Sequence, residues 1–198
     1  MINIDKISQD APFKILVKKY NKAIESSQNN IDAIAISSFN FKKNCVDSRY
    51  VNLKFIIDDE FIFFSNYNSP KSKAFDTHNQ ISALLYWPTI NLQIRMKAKI
   101  KRTSNEFNQK YFFERSEKKN ALAISSNQSQ PISSYEKVKD NYYKSLNNDD
   151  LKKCPDFWGG FSFKPHEIEF WEGNKYRLNR RDLYSHKENK WSHVILEP

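Results

Sequence analysis

Glycine is scarce in this chain. Only Gly159, Gly160 and Gly173 occur among 198 residues, where typical usage near 7% would give roughly fourteen. The glycine-rich loops that cradle phosphate in P-loop and dinucleotide-binding folds are therefore excluded, and a phosphate bound here must be held mostly by side chains. Cysteine is nearly absent too. Cys45 and Cys154 form neither a disulfide framework nor a C-x-x-C pair, so a reducing cytoplasm is the default expectation. His78, His166, His186 and His193 show no H-x-x-x-H spacing, and no metal site is expected. No run of about 18 uncharged apolar residues is present, which excludes a membrane-spanning helix. Met1-Ile2-Asn3-Ile4-Asp5 lacks the basic and then apolar layout of a secretion signal.

What the chain has in quantity is aromatic side chains and positive charge. Aromatics make up 15%, and 32 Lys and Arg against 23 Asp and Glu leave a formal charge of +9. The apolar mass is concentrated in large rings. The charge favours an anionic partner such as a phosphorylated small molecule or nucleic acid, or it simply keeps the protein in solution.

The periodicities predict an α+β domain. Pro12 to about Ser26 reads as a helix, with Pro12 in its first turn. Strands are expected at Ala33–Ser38, Ser48–Ile57, Phe61–Asn66 and Ile81–Trp87. Ser69 and Pro70 open a short helix as N-cap and first residue. Ile94, Met96, Ala98 and Ile100 alternate with Arg95, Lys97, Lys99 and Lys101, the signature of a half-buried antiparallel strand. Its basic face is either solvated or a nucleic-acid contact. Thr103 with Glu106, and Ser133 with Glu136, form capping boxes for helices reaching Arg115 and about Leu146. Strands return at Trp158–Phe163, Ile168–Trp171, Leu178–Tyr184 and Trp191–Leu196. No linker separates two domains, so residues 1–198 are read as one barrel-like domain with a loose N-terminus over residues 1–11.

Four segments concentrate chemistry. The first is Ser48-Arg49-Tyr50-Val51-Asn52-Leu53-Lys54, where Arg49 and Lys54 face opposite ways on an ideal ribbon. The second, Phe64-Ser65-Asn66 followed by Ser69-Pro70-Lys71-Ser72-Lys73, gathers hydroxyls, lysines and a helix N-terminus, a glycine-free anion site. The third is Gln128-Ser129-Gln130-Pro131-Ile132-Ser133. The fourth runs through Trp158-Gly159-Gly160, Ile168-Glu169-Phe170-Trp171 and Arg177-Leu178-Asn179-Arg180-Arg181.

In this order and spacing the segments resemble the pyridoxamine 5′-phosphate oxidase family, FMN-dependent flavoproteins of vitamin B6 metabolism. The likeness runs from about Pro12 to Pro198 and includes the Ile195-Leu196-Glu197-Pro198 ending. The resemblance implies an antiparallel split β-barrel with flanking helices, forming a homodimer with FMN sites shared between subunits. It implies FMN contacts at Arg49, Lys54, Phe64, Ser65, Lys71, Gln93, Gln128, Ser129, Trp171 and Arg181. Pro70 stands where the family usually has arginine, and Phe64 where it has tyrosine. It implies a small phosphorylated substrate at Lys54, Tyr111, Arg115, Lys119 and Arg177, with Lys119 in place of the family's serine. Arg177 and Asn179 fall at the catalytic positions, Asn179 replacing a histidine and Arg180 the aspartate after it.

The implied reaction is oxidation of pyridoxamine or pyridoxine 5′-phosphate by hydride transfer from C4′ to flavin N5, with oxygen as final acceptor. Neither nucleic acid nor membrane is an expected partner. Two alternatives stay open: a diverged FMN oxidoreductase acting on another substrate, and a non-catalytic flavin-binding or nucleic-acid-binding protein.

Overall fold

The two-residue alternation of Ile94–Lys101 recurs in neighbouring segments and closes them into a barrel. A computed structural model describes residues 1–198. In chain order it contains β1 (Asn3–Asp5), α1 (Ala11–Glu25), β2 (Ala33–Asn40), β3 (Cys45–Ile57), β4 (Glu60–Asn66), α2 (Pro70–Thr77), β5 (Gln80–Trp87) and β6 (Leu92–Arg102). There follow α3 (Asn105–Glu114), α4 (Glu117–Ser125), α5 (Tyr135–Asn148), β7 (Trp158–Glu172), β8 (Arg180–Lys187) and β9 (Lys190–Leu196). Antiparallel pairing runs β3–β2–β5–β6–β7–β4 and back to β3, a closed ring of six strands. The split β-barrel with flanking helices is therefore the observed fold. β8 and β9 extend it from β7.

The inward positions of the ring are apolar and buried: Ile34 and Ile36, Phe61 and Phe63, Ala83 and Leu85, Ile94 and Met96, Phe161 and Phe163. Phe61 and Phe163, cross-strand neighbours on β4 and β7, stack at 5.2 Å inside the barrel. Each large side chain stabilises by roughly 1.5–3 kcal/mol on leaving water. Helix α1 closes one face, burying Phe13, Leu16, Tyr20 and Ala23, with Phe13 edge-on to Trp191 at 5.8 Å.

The outward basic face of β6 is largely neutralised by its neighbours. Arg95 pairs with Glu169 at 2.6 Å, Lys97 with Glu167 at 2.8 Å and Lys101 with Glu60 at 2.6 Å. The Lys97 and Lys101 pairs are solvated and each worth little, whereas Glu169 is buried and shared between Arg95 and Arg181.

Several elements depart from expectation. Where a loose N-terminus is expected, β1 pairs in parallel with Phe55–Ile57 of β3, and Ile2 is buried with its backbone held by the Tyr20 hydroxyl. β7 is one 15-residue strand rather than two. Pro165 sits where the β6–β7 register shifts between Lys97 and Ala98, and an irregularity of this kind lets a strand carry proline. Helix α4 is absent from the sequence reading because its mixed composition gives no clear apolar stripe. The caps of α3 and α5 are Ser104 and Ser134, one residue beyond the expected Thr103 and Ser133. Thr103 instead donates to Asn108. β8 begins at Arg180 rather than Leu178.

Candidate active site

The end of β4 and the first turn of α2 build the core of the site. Ser69 caps α2 by accepting from the Ser72 amide, and Pro70 occupies the first helical position. The Lys71 ammonium thereby reaches back over β4. It donates to Ser65 Oγ at 2.9 Å, to Gln128 Oε1 at 3.2 Å and to Ser69 Oγ at 3.3 Å. Ser65 Oγ itself donates to Gln128 Oε1 at 3.1 Å, so residues more than sixty positions apart meet on one lysine. Arg49, from β3, donates to Ile36 O at 3.1 Å and Ser38 Oγ at 2.9 Å.

Neither Arg49 nor Lys71 forms an ion pair; all their partners are neutral oxygens. Burial, and then the neighbouring Arg49 charge, pull the Lys71 pKa down to about 8. Burial likewise lowers that of Arg49, with Asp47 opposing. Ser72 Oγ is buried without a partner. Two unmatched, part-buried cations among hydroxyls and an amide suit a phosphate group, so the residues present fit a phosphate-bearing cofactor.

An aromatic shelf adjoins this cluster. Phe64 stacks on Tyr111 at 4.0 Å and on Trp158 at 5.1 Å, and Arg115 lies over the Trp158 ring at 4.5 Å. Burial raises the Tyr111 phenol, with Arg115 opposing, and lowers the Arg115 guanidinium. Phe64, Ser65, Arg115, Lys119, Gln128 and Trp158 line one cavity of about 240 Å³. Its cations face no carboxylate from the lining.

Lys54 is the residue the ideal ribbon misplaces. The β3–β4 register shifts between Leu53 and Phe55, so Lys54 is the extra residue of a bulge, a device that re-aims a side chain. It pairs with Asp32 at 3.0 Å. Ser129 stands apart with φ 68° and lines a separate cavity with Asn127 and Gln130.

The remaining candidates form a second group. Gln93, Trp171 and Arg181 are cross-strand neighbours on β6, β7 and β8. Arg181 donates to Glu169 Oε1 at 2.8 Å and to the Glu197 carbonyl at 3.0 Å. In the β7–β8 loop Arg177 has φ 62°, and Asn179 Oδ1 accepts from the Asn174 amide at 3.0 Å. Ser65 faces Gly159 at the start of β7, whereas Trp171 lies near its other end. Their separation along the strand is about 40 Å at the usual rise per residue. The structure thus brings most of the candidates together as two sets, one toward each end of β7, and leaves Ser129 outside both.

Sequence reasoning missed Ser38, Asp32 and Asn120. Ser38 carried a signal, because it continues the inward period of Ile34 and Ile36 with a polar side chain. Asp32 precedes its strand and reads as a turn residue. Asn120 lies in the unforeseen α4.

Comparison with known proteins follows the same lines. The family described as the pyridoxine 5′-phosphate oxidase C-terminal dimerisation region matches residues 158–198. A pyridoxine/pyridoxamine 5′-phosphate oxidase of Coxiella burnetii is 32% identical over 200 residues, covering all of both chains. The solved structure of PhzG from Burkholderia lata 383, in complex with tetrahydrophenazine-1-carboxylic acid, superposes with a TM-score of 0.89 at 26% identity. It covers 94% of this chain and 92% of that one. A pyridoxamine 5′-phosphate oxidase-related, FMN binding protein of Nostoc punctiforme PCC 73102 shares the fold, with a TM-score of 0.80 at 12% identity. The coverage there is 96% of this chain and 99% of the other.

Proposed function

The chain belongs to the pyridoxine/pyridoxamine 5′-phosphate oxidase family, an oxidoreductase family, and on that premise we propose that it oxidises pyridoxamine or pyridoxine 5′-phosphate to pyridoxal 5′-phosphate, with FMN as cofactor and oxygen as acceptor. The observation that carries the reading is the pair of unmatched cations, Arg49 and Lys71, converging with Ser65 and Gln128. Those four would hold the cofactor phosphate, the helix end of α2 adding its partial charge. Bound FMN supplies the hydride acceptor that no side chain of this protein can provide.

The chain's own part is binding and orientation. Arg115, Lys119, Tyr111 and Lys54 would anchor the substrate phosphate, which places the reacting carbon and lowers the entropic cost of the encounter. Asp32 holds Lys54 in position at 3.0 Å. Arg177 would lie over the substrate ring. Asn179, already hydrogen-bonded within its turn, keeps the loop in shape and holds no charge near neutral pH.

The same reading includes a homodimer. Gln93, Trp171 and Arg181 make no hydrogen bond to the Lys71 cluster and sit near the end of β7 away from Gly159, and the match to a dimerisation region spans β7 to β9. Two-fold pairing lets each end of one subunit complete the opposite end of the other.

An oxygen-consumption assay of FMN-loaded protein with pyridoxamine 5′-phosphate tests the activity. Flavin-bound protein that consumes no oxygen would move the assignment to the second reading, a family oxidoreductase for another small anionic substrate. That reading is favoured by Asn179 and Arg180, both engaged inside their own segment.

A further inference from the structure

We propose that Asn120 is the positioning residue of the substrate-anion subsite, holding the Arg115 guanidinium at the cavity without consuming its charge. The inference rests on the reading above, in which Arg115 receives the substrate phosphate.

Asn120 is fully buried in the first half of α4, and it satisfies three groups at once. Its Nδ2 donates to the Phe112 carbonyl at 2.7 Å and to the Leu151 carbonyl at 2.8 Å. Its Oδ1 accepts from Arg115 Nη1 at 3.1 Å. Chemistry fixes the amide's direction. A flipped amide would set its oxygen against two carbonyls and its NH₂ against a guanidinium that can only donate. Both amide hydrogens are committed to the end of α3 and the segment after α5, so the oxygen has one place to point.

Arg115 follows α3 directly, at a joint where backbone order alone would leave its long side chain several rotamers. Asn120 on one side and the Trp158 ring on the other restrict it. The neutrality of the tether matters. A carboxylate at residue 120 would pair with Arg115 but neutralise it, and would set its second oxygen against the Phe112 and Leu151 carbonyls, whereas an amide orients Arg115 and leaves the positive charge for an incoming anion.

The test compares FMN-loaded parent, Asn120→Asp, Asn120→Ala, Asn120→Gln and Arg115→Ala in steady-state oxidation of pyridoxamine 5′-phosphate and of unphosphorylated pyridoxamine. Asn120→Asp should raise KM for the phosphorylated substrate roughly tenfold or more, with kcat and the unphosphorylated substrate little changed. Asn120→Ala should act in the same direction, and Asn120→Gln, which keeps both functional groups, should recover part of the difference. In an Arg115→Ala background, Asn120→Ala should add nothing. Equilibrium titration with pyridoxal 5′-phosphate against pyridoxal reads the same ratio without turnover. If Asn120→Asp fails to retain FMN, the alanine variant and the cycle still decide. An unchanged KM ratio in the Asn120 variants, beside a raised one in Arg115→Ala, would overturn the role of Asn120 alone. A loss of kcat shared by both substrates would reduce Asn120 to a fold residue. An Arg115→Ala enzyme with unaltered KM would overturn the underlying reading as well.

Discussion

A lysine half-buried beside an arginine, with only hydroxyl and amide partners, has an ammonium poorly matched to its surroundings, and Lys71 is such a group. An arriving phosphate would relieve the mismatch. Replacing Lys71 by Ala should weaken FMN by about 1.5–3 kcal/mol, the range for a hydrogen bond to a charged group, as read by titration of flavin fluorescence. With its pKa pulled down to about 8, Lys71 is charged below that value and loses its proton above it. FMN affinity should therefore fall as pH rises through 8. The dependence should flatten in Lys71→Ala. The folding contribution has the opposite slope. The unfolded lysine, at 10.5, holds its proton where the folded one does not, so this group makes the FMN-free fold more stable as pH rises from about 8 to about 10.5. Arg177 and Asn179 differ in kind. Asn179 spends its carbonyl on Asn174, whereas no side-chain partner holds Arg177. Arg177→Ala should cost far more kcat/KM than Asn179→Ala, with FMN retained in both, measured as lost transition-state stabilisation.

At the scale of elements, the placement of α3 governs Tyr111 and Arg115. It is pinned to β7 by a buried polar network. Asn108 Nδ2 donates to Tyr67 OH at 3.0 Å, Tyr67 OH donates to the Gly160 carbonyl at 3.1 Å, and the Gly160 amide donates to Asn108 Oδ1 at 2.8 Å. Gly159 belongs there because a methyl on it would collide with the Tyr67 hydroxyl and the Asn108 amide. Gly159→Ala should destabilise the fold by about 1–3 kcal/mol, the range for overpacking. For a chain of this size that is roughly 2–4 °C of Tm per kcal/mol. It should also raise KM for the phosphorylated substrate, since the network that carries Arg115 must shift. A thermal melt with unaltered Tm would show that α3 yields freely.

At the scale of the whole molecule, the two candidate sets can be separated by mutation. Lys71→Ala damages one end of β7 and Trp171→Ala the other. If each cofactor site draws one set from each subunit, either homodimer binds FMN weakly. Subunit exchange between the two variants would then regenerate intact sites, roughly a quarter of the total for random pairing of two-fold dimers. Recovery of flavin binding on mixing, followed by absorbance after gel filtration, is the expected result. No recovery at all, with exchange demonstrated, would place both sets at a single chain's site or assign one of them no part in binding.

The strands and most of the helices were legible locally, because a strand's two faces and a helix's cap are written in adjacent residues. The alternation around Ile94–Lys101 specified β6, and Ser69-Pro70 opened α2 as expected. The candidate residues were legible only through resemblance, since Ser65, Lys71 and Gln128 have no spacing that brings them together. Tertiary structure alone decided that Lys54 lies on a bulge, that most of β6's basic residues are answered by acids from β4, β7 and α2, and that Asn120 accepts from Arg115. It also divided most of the candidate residues between the two ends of β7. Contacts between distant segments depend on how the barrel closes, and the local periods that specify each strand carry no information about which strand lies beside it.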